Sequence, residues 1–592
     1  MIILGISALY HDSAAALIKD GEIIAAAQEE RFTRIKGDSS IPVNSIKFCL
    51  DYLDNSNIDY IAYYDNPLLT LDRWICNMLN RDDVELKEKE LDKFFAERLW
   101  IHKRISEILS NVSISSSYKF VAVNHHMSHA ASAFYPSPFK EAAILTIDGV
   151  GEWATSSLGI GRDNTISILK ELRYPNSLGL LYSAFTSFCG FKVNFGEYKL
   201  MGLAPYGEPI WADAIMTNMV DIREDGSFAL NLDYFSFIEG EGMYSDKFCE
   251  LFNLSPREPE SDISKAYADI AASIQKVTEL IIVKMAQYLK SITNLENLVL
   301  AGGCALNCVA NGVLQRKGVF EHLWIQPASN DAGGAIGAAL SCYYYNTSSN
   351  RHVDGNDSQK GSFLGPEYTN GSIELLLKNS KIKYKYYNSK SLYQAIAKKI
   401  NDNEVVGLFH GRMEFGPRAL GHRSIIASAI PEDNQIRVNR KIKFRESFRP
   451  FAPAVLLEDV SQYFLYKEES PYMLLVSYVK PELRYEQKPI KHFSLNDIVK
   501  RKRSIVPSVT HIDYSARIQT VDNDRNPFFY NVLKEYKKIS GLSVVLNTSF
   551  NVRGEPIVCT PEDALRCFFR TEIDSLVLGN YIIEKAKNNR YD

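Results

Sequence analysis

Three imidazoles fall within five residues in the run Asn124-His125-His126-Met127-Ser128-His129, in a chain that holds only 11 histidines. On a helix, His125 and His129 share one face about 6 Å apart, close enough to grip one metal ion, and His126 points elsewhere. A helix start carrying surface or hydrogen-bonded histidines is the default for an isolated pair. The metal reading therefore needs two carboxylates alongside. Asp148, in Asp148-Gly149-Val150-Gly151-Glu152, and Asp331, at the head of Asp331-Ala332-Gly333-Gly334-Ala335-Ile336-Gly337, are the candidates. Taken locally, the first is a turn residue and the second a helix N-cap.

Two other groups of residues carry chemistry. His11-Asp12-Ser13 sits in a tight turn, where a His-Asp pair is either a general base with its orienting carboxylate or a local hydrogen-bonding cap. Further on, basic residues are embedded among glycines, prolines and aromatics. They are Arg418 in Gly416-Pro417-Arg418-Ala419-Leu420-Gly421, then Lys441, Lys443, Arg445 and Arg449 before Pro450-Phe451-Ala452-Pro453, then Arg517, with Asn547-Thr548-Ser549 beyond. Cations in such segments are held in place, and fixed Arg side chains with Asn, Thr and Ser donors suit a small dianion. Ion pairing with Glu414, Glu446 and Glu555 is the structural alternative.

The elements that must position these groups follow from patterning. Residues 2–30 alternate short apolar runs with turn signals, including Asp20-Gly21, and predict two or three antiparallel strands. Residues 41–110 read as helices, with charge-rich segments such as Asp82 to Arg98, and a strand at Tyr118 to Val123 delivers the histidines. A second set of strands follows: Ala142 to Ile147, Ala154 to Ile160 and Thr165 to Leu169. A hairpin unit recurring after a block of helices predicts a duplicated α/β fold, as in actin-like and sugar-kinase-like ATPases, with nucleotide between two βββαβα halves. The two hairpin turns would then face each other, which puts Asp148, at the tip of the second, near His125 and His129.

Gly196 to Gly207 is too punctuated for a long helix and reads as a loop around a short helical turn. Within it Lys199, near Gly202, either approaches a phosphate or is solvated. Residues 263–292 are helical, and the strand Leu298 to Leu300 runs into Gly302-Gly303-Cys304-Ala305-Leu306-Asn307. The strand Leu323 to Gln326 repeats the device, ending in Asp331 and Gly333-Gly334. Two successive strand-Gly-helix units offer backbone N–H groups to a nucleotide. The polar run 346–360 marks a boundary between a first domain, 1–350, and a second, 361–592.

A chain of 592 residues is too long for one core, and 46% hydrophobic with 23% charged residues is the balance of a soluble globular protein. A net charge of -4 gives no footprint for a nucleic-acid partner. Nine cysteines without a C-x-x-C pair read as reduced thiols. The N-terminus lacks a basic n-region, and no apolar run reaches the ~18 residues of a membrane span. A cytoplasmic protein without a membrane partner is expected.

With these residues assembled, the chain resembles the NodU/CmcH family of O-carbamoyltransferases. The likeness covers nearly all of it: His11-Asp12-Ser13-Ala14-Ala15, Glu29-Glu30-Arg31-Phe32, His125 to Ala130, Asp148-Gly149, Lys199 to Leu203, Gly302-Gly303, Gly416 to Gly421, Arg449 to Pro453 and Asn547 to Asn551. The resemblance implies an actin-like N-terminal domain, similar to the protein that completes threonylcarbamoyl-adenosine on tRNA, fused to a YrdC-like α/β domain. It implies that the second domain makes carbamoyl adenylate from carbamoyl phosphate and ATP, and that the first transfers the carbamoyl group to an acceptor hydroxyl and releases AMP.

Position by position, the resemblance makes His125, His129, Asp148 and Asp331 the metal ligands, usually for iron, and the donor set suits Fe(II), Mn or Zn. It makes His11 the base, with Asp12 beside it. It makes Lys443, Arg445, Arg449, Arg517, Asn547 and Ser549 the carbamoyl phosphate pocket, with Arg418 close. Lys199, Gly202, Gly302, Gly303, Asn307, Gly333 and Gly334 are the nucleotide candidates, and Mg can accompany ATP. Cys304-Ala305 departs from a frequent Val-Gly, although small residues remain. The acceptor is a small hydroxylated molecule; a homodimer is the oligomer considered. A tRNA-modifying enzyme is the rival from the same chemistry, disfavoured by the acidic balance. An actin-like ATPase or sugar kinase would leave the His pair and the Arg-rich segment without a task, and an idle scaffold would be expected to carry broken motifs.

Overall fold

The computed structural model describes the chain except residues 54–55, 80–88, 90, 93, 112–117, 239–241, 348, 447, 488–492 and 589–592. It divides into two compact units, residues 1–33 with 37–359, and residues 34–36 with 360–592.

The first unit is built from two sheets of the same design. In one, β1 (Ile2–Ser7), β2 (Ala14–Lys19) and β3 (Glu22–Gln28) form an antiparallel meander, and β4 (Tyr60–Tyr63) and β5 (Lys119–Ala122) add in parallel, in the order β3-β2-β1-β4-β5. In the other, β6 (Glu141–Gly151), β7 (Ala154–Arg162) and β8 (Thr165–Arg173) form the meander. A small hairpin of β9 (Val220–Ile222) and β10 (Phe228–Leu230) lies apart. The parallel additions are β11 (Asn297–Ala301) and β12 (His322–Ile325), so the order is β12-β11-β6-β7-β8. Two meanders, each extended by two parallel strands through helical crossovers, constitute the duplicated actin-like βββαβα fold. Every residue of β1 is buried, as a strand covered on both faces requires.

Two helices tie the sheets together. His125–Phe134 follows β5, and Asp331–Asn346 follows β12. The second is rich in Gly and Ala, and its backbone touches its neighbours directly. A Cβ on Gly337 would overlap the Ser128 carbonyl, and one on Gly5 of β1 would overlap the carbonyl of Ala335. Only residues without side chains permit this approach.

Four local readings change. β4 lies inside the stretch read as all helix; at four residues it is too short to show a period. Gly196 to Gly207 is mainly a helix, Glu197–Leu203, closed by a 3-10 turn. Asp148 is not at a turn tip but within β6, where the register with β7 shifts between Ile147 and Gly151. Asn330, not Asp331, is the N-cap of its helix. Of the charge-rich run from Asp82, residues 82–88, 90 and 93 lie outside the described residues, and its end, Phe95–Leu99, is a π-helical turn.

The second unit is a separate α/β structure around one nine-stranded mixed sheet, β13-β21-β20-β14-β15-β19-β16-β18-β17. In chain order these strands are β13 (Lys385–Tyr386), β14 (Val406–Phe409), β15 (Arg423–Ser428), β16 (Ala452–Leu456), β17 (Leu475–Tyr478), β18 (Ser515–Val521), β19 (Val544–Ser549), β20 (Ser575–Leu578) and β21 (Tyr581–Glu584). Helices Ser389–Asn401 and Pro527–Ser540 pack Leu392, Ile396, Phe529 and Leu533 against Val406, Leu408 and Val545. All nine cysteines are free. No helix among the described residues is long and apolar enough to cross a membrane.

Because the Gly337 site has no room for a methyl group, Gly337→Ala should destabilise the first unit by about 1–3 kcal/mol. Chemical denaturation checks it against Gly371→Ala, in a helix of the second unit, whose methyl meets only Thr369 Oγ1 at 3.9 Å and should not destabilise.

Candidate functional site

The helix His125–Phe134 begins without a side-chain cap from Asn124. Glu152 takes that duty from the end of the β6–β7 hairpin: one carboxylate oxygen accepts the His125 N–H at 3.0 Å and the Asn66 N–H at 2.8 Å. Burial and the nearby Asp65 raise the Glu152 carboxyl to about 7. Next to it, Gly151 must lack a side chain, because a Cβ there would overlap the His125 ring. These contacts fix the first imidazole, and helical spacing fixes the second.

The ring nitrogens converge. His125 Nε2 and His129 Nε2 are 3.1 Å apart. Asp148 Oδ2 lies 3.3 Å from the first and 3.8 Å from the second, and Asp331 Oδ1 lies 3.6 Å from both. One donor atom from each of the four residues lies within 4.8 Å of all the others, so the group could hold a metal ion. The Gly303 N–H donates to the other oxygen of Asp148 at 2.8 Å, which leaves Oδ2 turned to the imidazoles. Tyr64 donates to Asp331 Oδ2 at 3.4 Å. Asp331 Oδ1 is buried with no hydrogen-bond partner, the condition of an oxygen that needs a cation.

Electrostatics agree with the geometry. All four residues are at most 4% exposed. Burial alone would raise Asp148, yet the two imidazoles hold it well below the carboxylate range. Burial likewise opposes charge on His125, and Asp331 and Asp148 more than offset it, raising the imidazole to about 9. The carboxylates thus demand positive charge, which protons or a divalent ion can supply. His126 is turned away. Its Nδ1 lies 2.8 Å from Thr146 Oγ1 and 2.9 Å from Ser157 Oγ, and burial, aided by the other two imidazoles, lowers it to about 3. It is a neutral structural imidazole that ties the helix to the sheet.

His11 and Asp12 occupy the β1–β2 turn, where Asp12 has φ +53°. His11 Nδ1 is 3.0 Å from Asp12 Oδ2, which also accepts the Asn330 amide at 2.8 Å. Since Asn330 precedes Asp331, one helix start orients both the His-Asp pair and a candidate metal ligand. Burial disfavours charge on His11, but Asp331 and Asp12 raise it to about 10. A cation on the carboxylates would cancel part of that field.

Of the nucleotide candidates, Gly302 has φ +88° and leaves no room for a Cβ beside Ile147, and the Gly303 N–H is used on Asp148. Gly333 and Gly334 pack against Ala328 and Tyr64. Asn307 caps the helix Cys308–Lys317 through Ala310 N at 3.0 Å and pairs with Gln275. Lys199 and Gly202 lie on Glu197–Leu203, with Lys199 Nζ 5.6 Å from the Phe191 ring. Gly302, Gly303, Gly333 and Gly334 therefore border the metal cluster. No described contact joins Lys199, Gly202 or Asn307 to it.

In the second unit, Lys443 is buried, and its ammonium donates to Ser549 O at 2.5 Å, Ser549 Oγ at 3.1 Å, Asn551 O at 2.9 Å and Asn551 Oδ1 at 2.5 Å. Burial, with Arg445 and Arg449 adding to it, pushes this lysine well below its ordinary range. Arg445 donates to Asn439 at 2.7 Å and lies over Phe451. Asn547 donates to Ala419 O, next to Arg418, at 3.1 Å and to Gln519 at 2.7 Å; Gln519 is two residues beyond Arg517 on β18. Asn547 Oδ1 and Arg517 Nε are buried without hydrogen-bond partners. Ion pairing accounts for part of this region, since Glu446 lies 3.7 Å from Arg449 and 3.8 Å from Arg553, while Glu414 accepts three backbone N–H groups.

Sequence reasoning missed Glu152, Tyr64 and Asn330. Glu152 had a signal, four residues after Asp148, and Asn330 had one as the neighbour of Asp331; Tyr64 had none.

Comparison with known proteins follows the same division of the chain. Family descriptions of a carbamoyltransferase N-terminus and C-terminus match residues 2–340 and 397–585. An uncharacterized protein of Synechocystis sp. is 50% identical and covers 99% of this chain and 97% of its own length. Nodulation protein NolNO of Sinorhizobium fredii is 34% identical, covering 97% of this chain and 79% of its own length. The 3'-hydroxymethylcephem-O-carbamoyltransferase of Amycolatopsis lactamdurans is 26% identical, covering 79% and 81%. Among solved structures, component A of the Acidaminococcus fermentans (R)-2-hydroxyglutaryl-CoA dehydratase aligns with 58% of this chain and 98% of its own at 17% identity. Its TM-score of 0.28 is too weak a likeness to add to the sheet topology.

Protein loaded with a divalent ion and gel-filtered should retain it, and Asp331→Ala and His129→Ala should each lose it. Metal analysis of the eluted protein reads this; wild-type retention in both variants would remove the ligand assignment.

Proposed function

The chain belongs to the carbamoyltransferase family, and on that footing we propose that it is an ATP-dependent O-carbamoyltransferase acting on a hydroxyl of a small molecule. In this reading residues 361–592, the YrdC-like domain, activate the carbamoyl group. Carbamoyl phosphate and water give carbamate and phosphate, and carbamate displaces pyrophosphate from ATP to form carbamoyl adenylate. Residues 1–350 carry out the transfer. The acceptor oxygen bonds to the carbamoyl carbon, the bond from that carbon to the adenylate oxygen breaks, and AMP leaves.

Several features of the second unit support activation there. Lys443 holds the Ser549–Asn551 loop against β19 while its own charge is penalised by burial and by Arg445 and Arg449. A dianion among Arg445, Arg449, Arg517 and Arg418 relieves that penalty and is oriented by it. The orphaned Arg517 Nε offers it a further donor, and the orphaned Asn547 Oδ1 can accept from a carbamoyl NH2 group.

The observation that carries the transfer step is the meeting of the His11–Asp12 pair with Asp331 at one helix start. Asp12 holds Nδ1 of His11, and a cation on Asp331 and Asp148 would offset the field that keeps this imidazole protonated, so that Nε2 could take the proton of the acceptor hydroxyl. A divalent ion, Fe(II) in our reading, held by His125, His129, Asp148 and Asp331, would neutralise the adenylate phosphate and polarise the leaving group. Glu152 and Gly151 keep the first imidazole in register, and Gly303 keeps Asp148 in place. The name of the cephem relative supports a small hydroxylated acceptor here as well.

Pyrophosphate release should require both ATP and carbamoyl phosphate and should vanish in Arg449→Ala; ATP hydrolysis indifferent to carbamoyl phosphate would sink the proposal. In His11→Gln, pyrophosphate release should persist while acceptor carbamoylation, followed by mass spectrometry, falls by roughly 10²–10⁴-fold. A fall of both together would move His11 out of the transfer step.

A further inference from the structure

Beside His11 lies a group of rings and guanidinium groups that neither the metal cluster nor the helix packing uses. Tyr10 precedes the base; its ring centroid is 4.6 Å from the imidazole, and it is 39% exposed. Arg98, from the turn Phe95–Leu99, donates to the Leu9 carbonyl and stands 6.0 Å over the Tyr10 ring and 5.7 Å over the Trp74 ring. Trp74 meets Phe94 at 5.4 Å. Arg73, its neighbour on the helix Pro67–Leu79, stands 5.5 Å over Tyr174. Four separate segments thus bring aromatic faces and two cations to the side of the base.

The charges in this group are compensated only in part: Arg98 donates to a backbone carbonyl, and Asp65 acts on Arg73 from beyond ion-pair distance. Among the described residues, no carboxylate lies within ion-pair distance of Arg73 or Arg98, and Arg73 Nε is buried without a hydrogen-bond partner. Burial lowers Arg73 from its ordinary range, and Arg98 adds to the effect. The Tyr10 phenol, within the field of Asp331 and Asp148 as well as of Arg73 and Arg98, is neutral at physiological pH and can donate a hydrogen bond. Packing alone does not require a cation with a buried, orphaned Nε here, nor a second guanidinium beside it. An anion would supply the missing partner, and the half-exposed aromatic faces suit a ring attached to it.

We propose that Tyr10, Arg73, Trp74 and Arg98 form the acceptor subsite of the transfer step, and that it takes a hydroxylated ring bearing a carboxylate, sulfate or phosphate group. This rests on the transfer reading above, in which the hydroxyl reaches His11 Nε2. The guanidinium groups hold the anionic end and the rings fix the plane of the molecule, so the reacting hydroxyl is presented to the base from a fixed distance. Neutral and cationic acceptors gain nothing from the two arginines, and a cationic one is repelled by them.

Saturation-transfer NMR on the full chain tests this with four pyranoses: glucuronate, glucose 1-phosphate, glucose and glucosamine. The two anions should bind at least tenfold more tightly than glucose and glucosamine. Arg73→Gln and Arg98→Gln should each weaken glucuronate at least tenfold. Arg98→Lys, which keeps the charge, should restore part of the loss, and circular dichroism of each variant shows whether it is folded. Failure of both anions to bind, equal binding of glucuronate to wild type and the folded glutamine variants, or preference for glucosamine would each overturn the subsite. Pyrophosphate release by the wild type is measured separately. Its absence removes the carbamoyl-transfer reading, whereas the NMR result decides the anion subsite on its own.

Discussion

Two helices that cross with almost nothing between their backbones set the distances in the first unit. The Gly337 backbone lies against the Ser128 carbonyl, and Gly5 of β1 lies against Ala335. Protein interiors resist even one extra methyl group, so this crossing is a narrow geometric state. It holds Asp331, at the head of one helix, 3.6 Å from the ring nitrogens of both histidines on the other. The small-residue run is therefore above all a spacing device. It also delivers Asn330 to Asp12, so the metal cluster and the His-Asp pair share one support.

Charge balance is the second constraint, and the two units meet it with opposite signs. In the first, two buried carboxylates face two imidazoles, an arrangement that costs several kcal/mol per unpaired ion unless a positive charge joins it. The orphaned Asp331 oxygen marks where the balance is incomplete. In the second, the excess is positive. Lys443 is buried and crowded by Arg445 and Arg449, and the Ser549 and Asn551 oxygens compensate it only in part. One cluster could take a cation and the other an anion, which is the division of labour that the proposed function uses.

Much of this was legible in the residues. Alternating apolar runs broken by Asp20-Gly21 gave the first meander, and recurrence of the pattern after residue 140 gave the second, so the duplicated fold could be read from patterning. The i, i+4 histidines indicated a shared face. Other features were hidden for identifiable reasons. Four-residue β4 is a central strand, but its neighbours read as helix and it has too few residues to show a period. Asn330 and Asp331 are adjacent and equally good cap types, so sequence could not say which one takes the N-cap position and which one begins the helix and turns inward. The glycines at 333 and 334 are nucleotide candidates by type, and that they also leave room for the Ala328 carbonyl and the Tyr64 ring is visible only in the fold.

The histidine pair shows where the division falls. Its spacing, its helix and the residue types around it are local properties, and local sequence determined them. Whether the pair binds a metal depends on atoms that lie 19 residues away at Asp148 and 202 residues away at Asp331, counting from His129, and no local rule relates those positions. Only the tertiary structure brings those atoms together, by placing a bulge in β6 and a glycine-lined helix crossing where both carboxylates reach the same point. The reason is physical: chain periodicity fixes which face a side chain occupies, whereas close packing between elements fixes what that face meets.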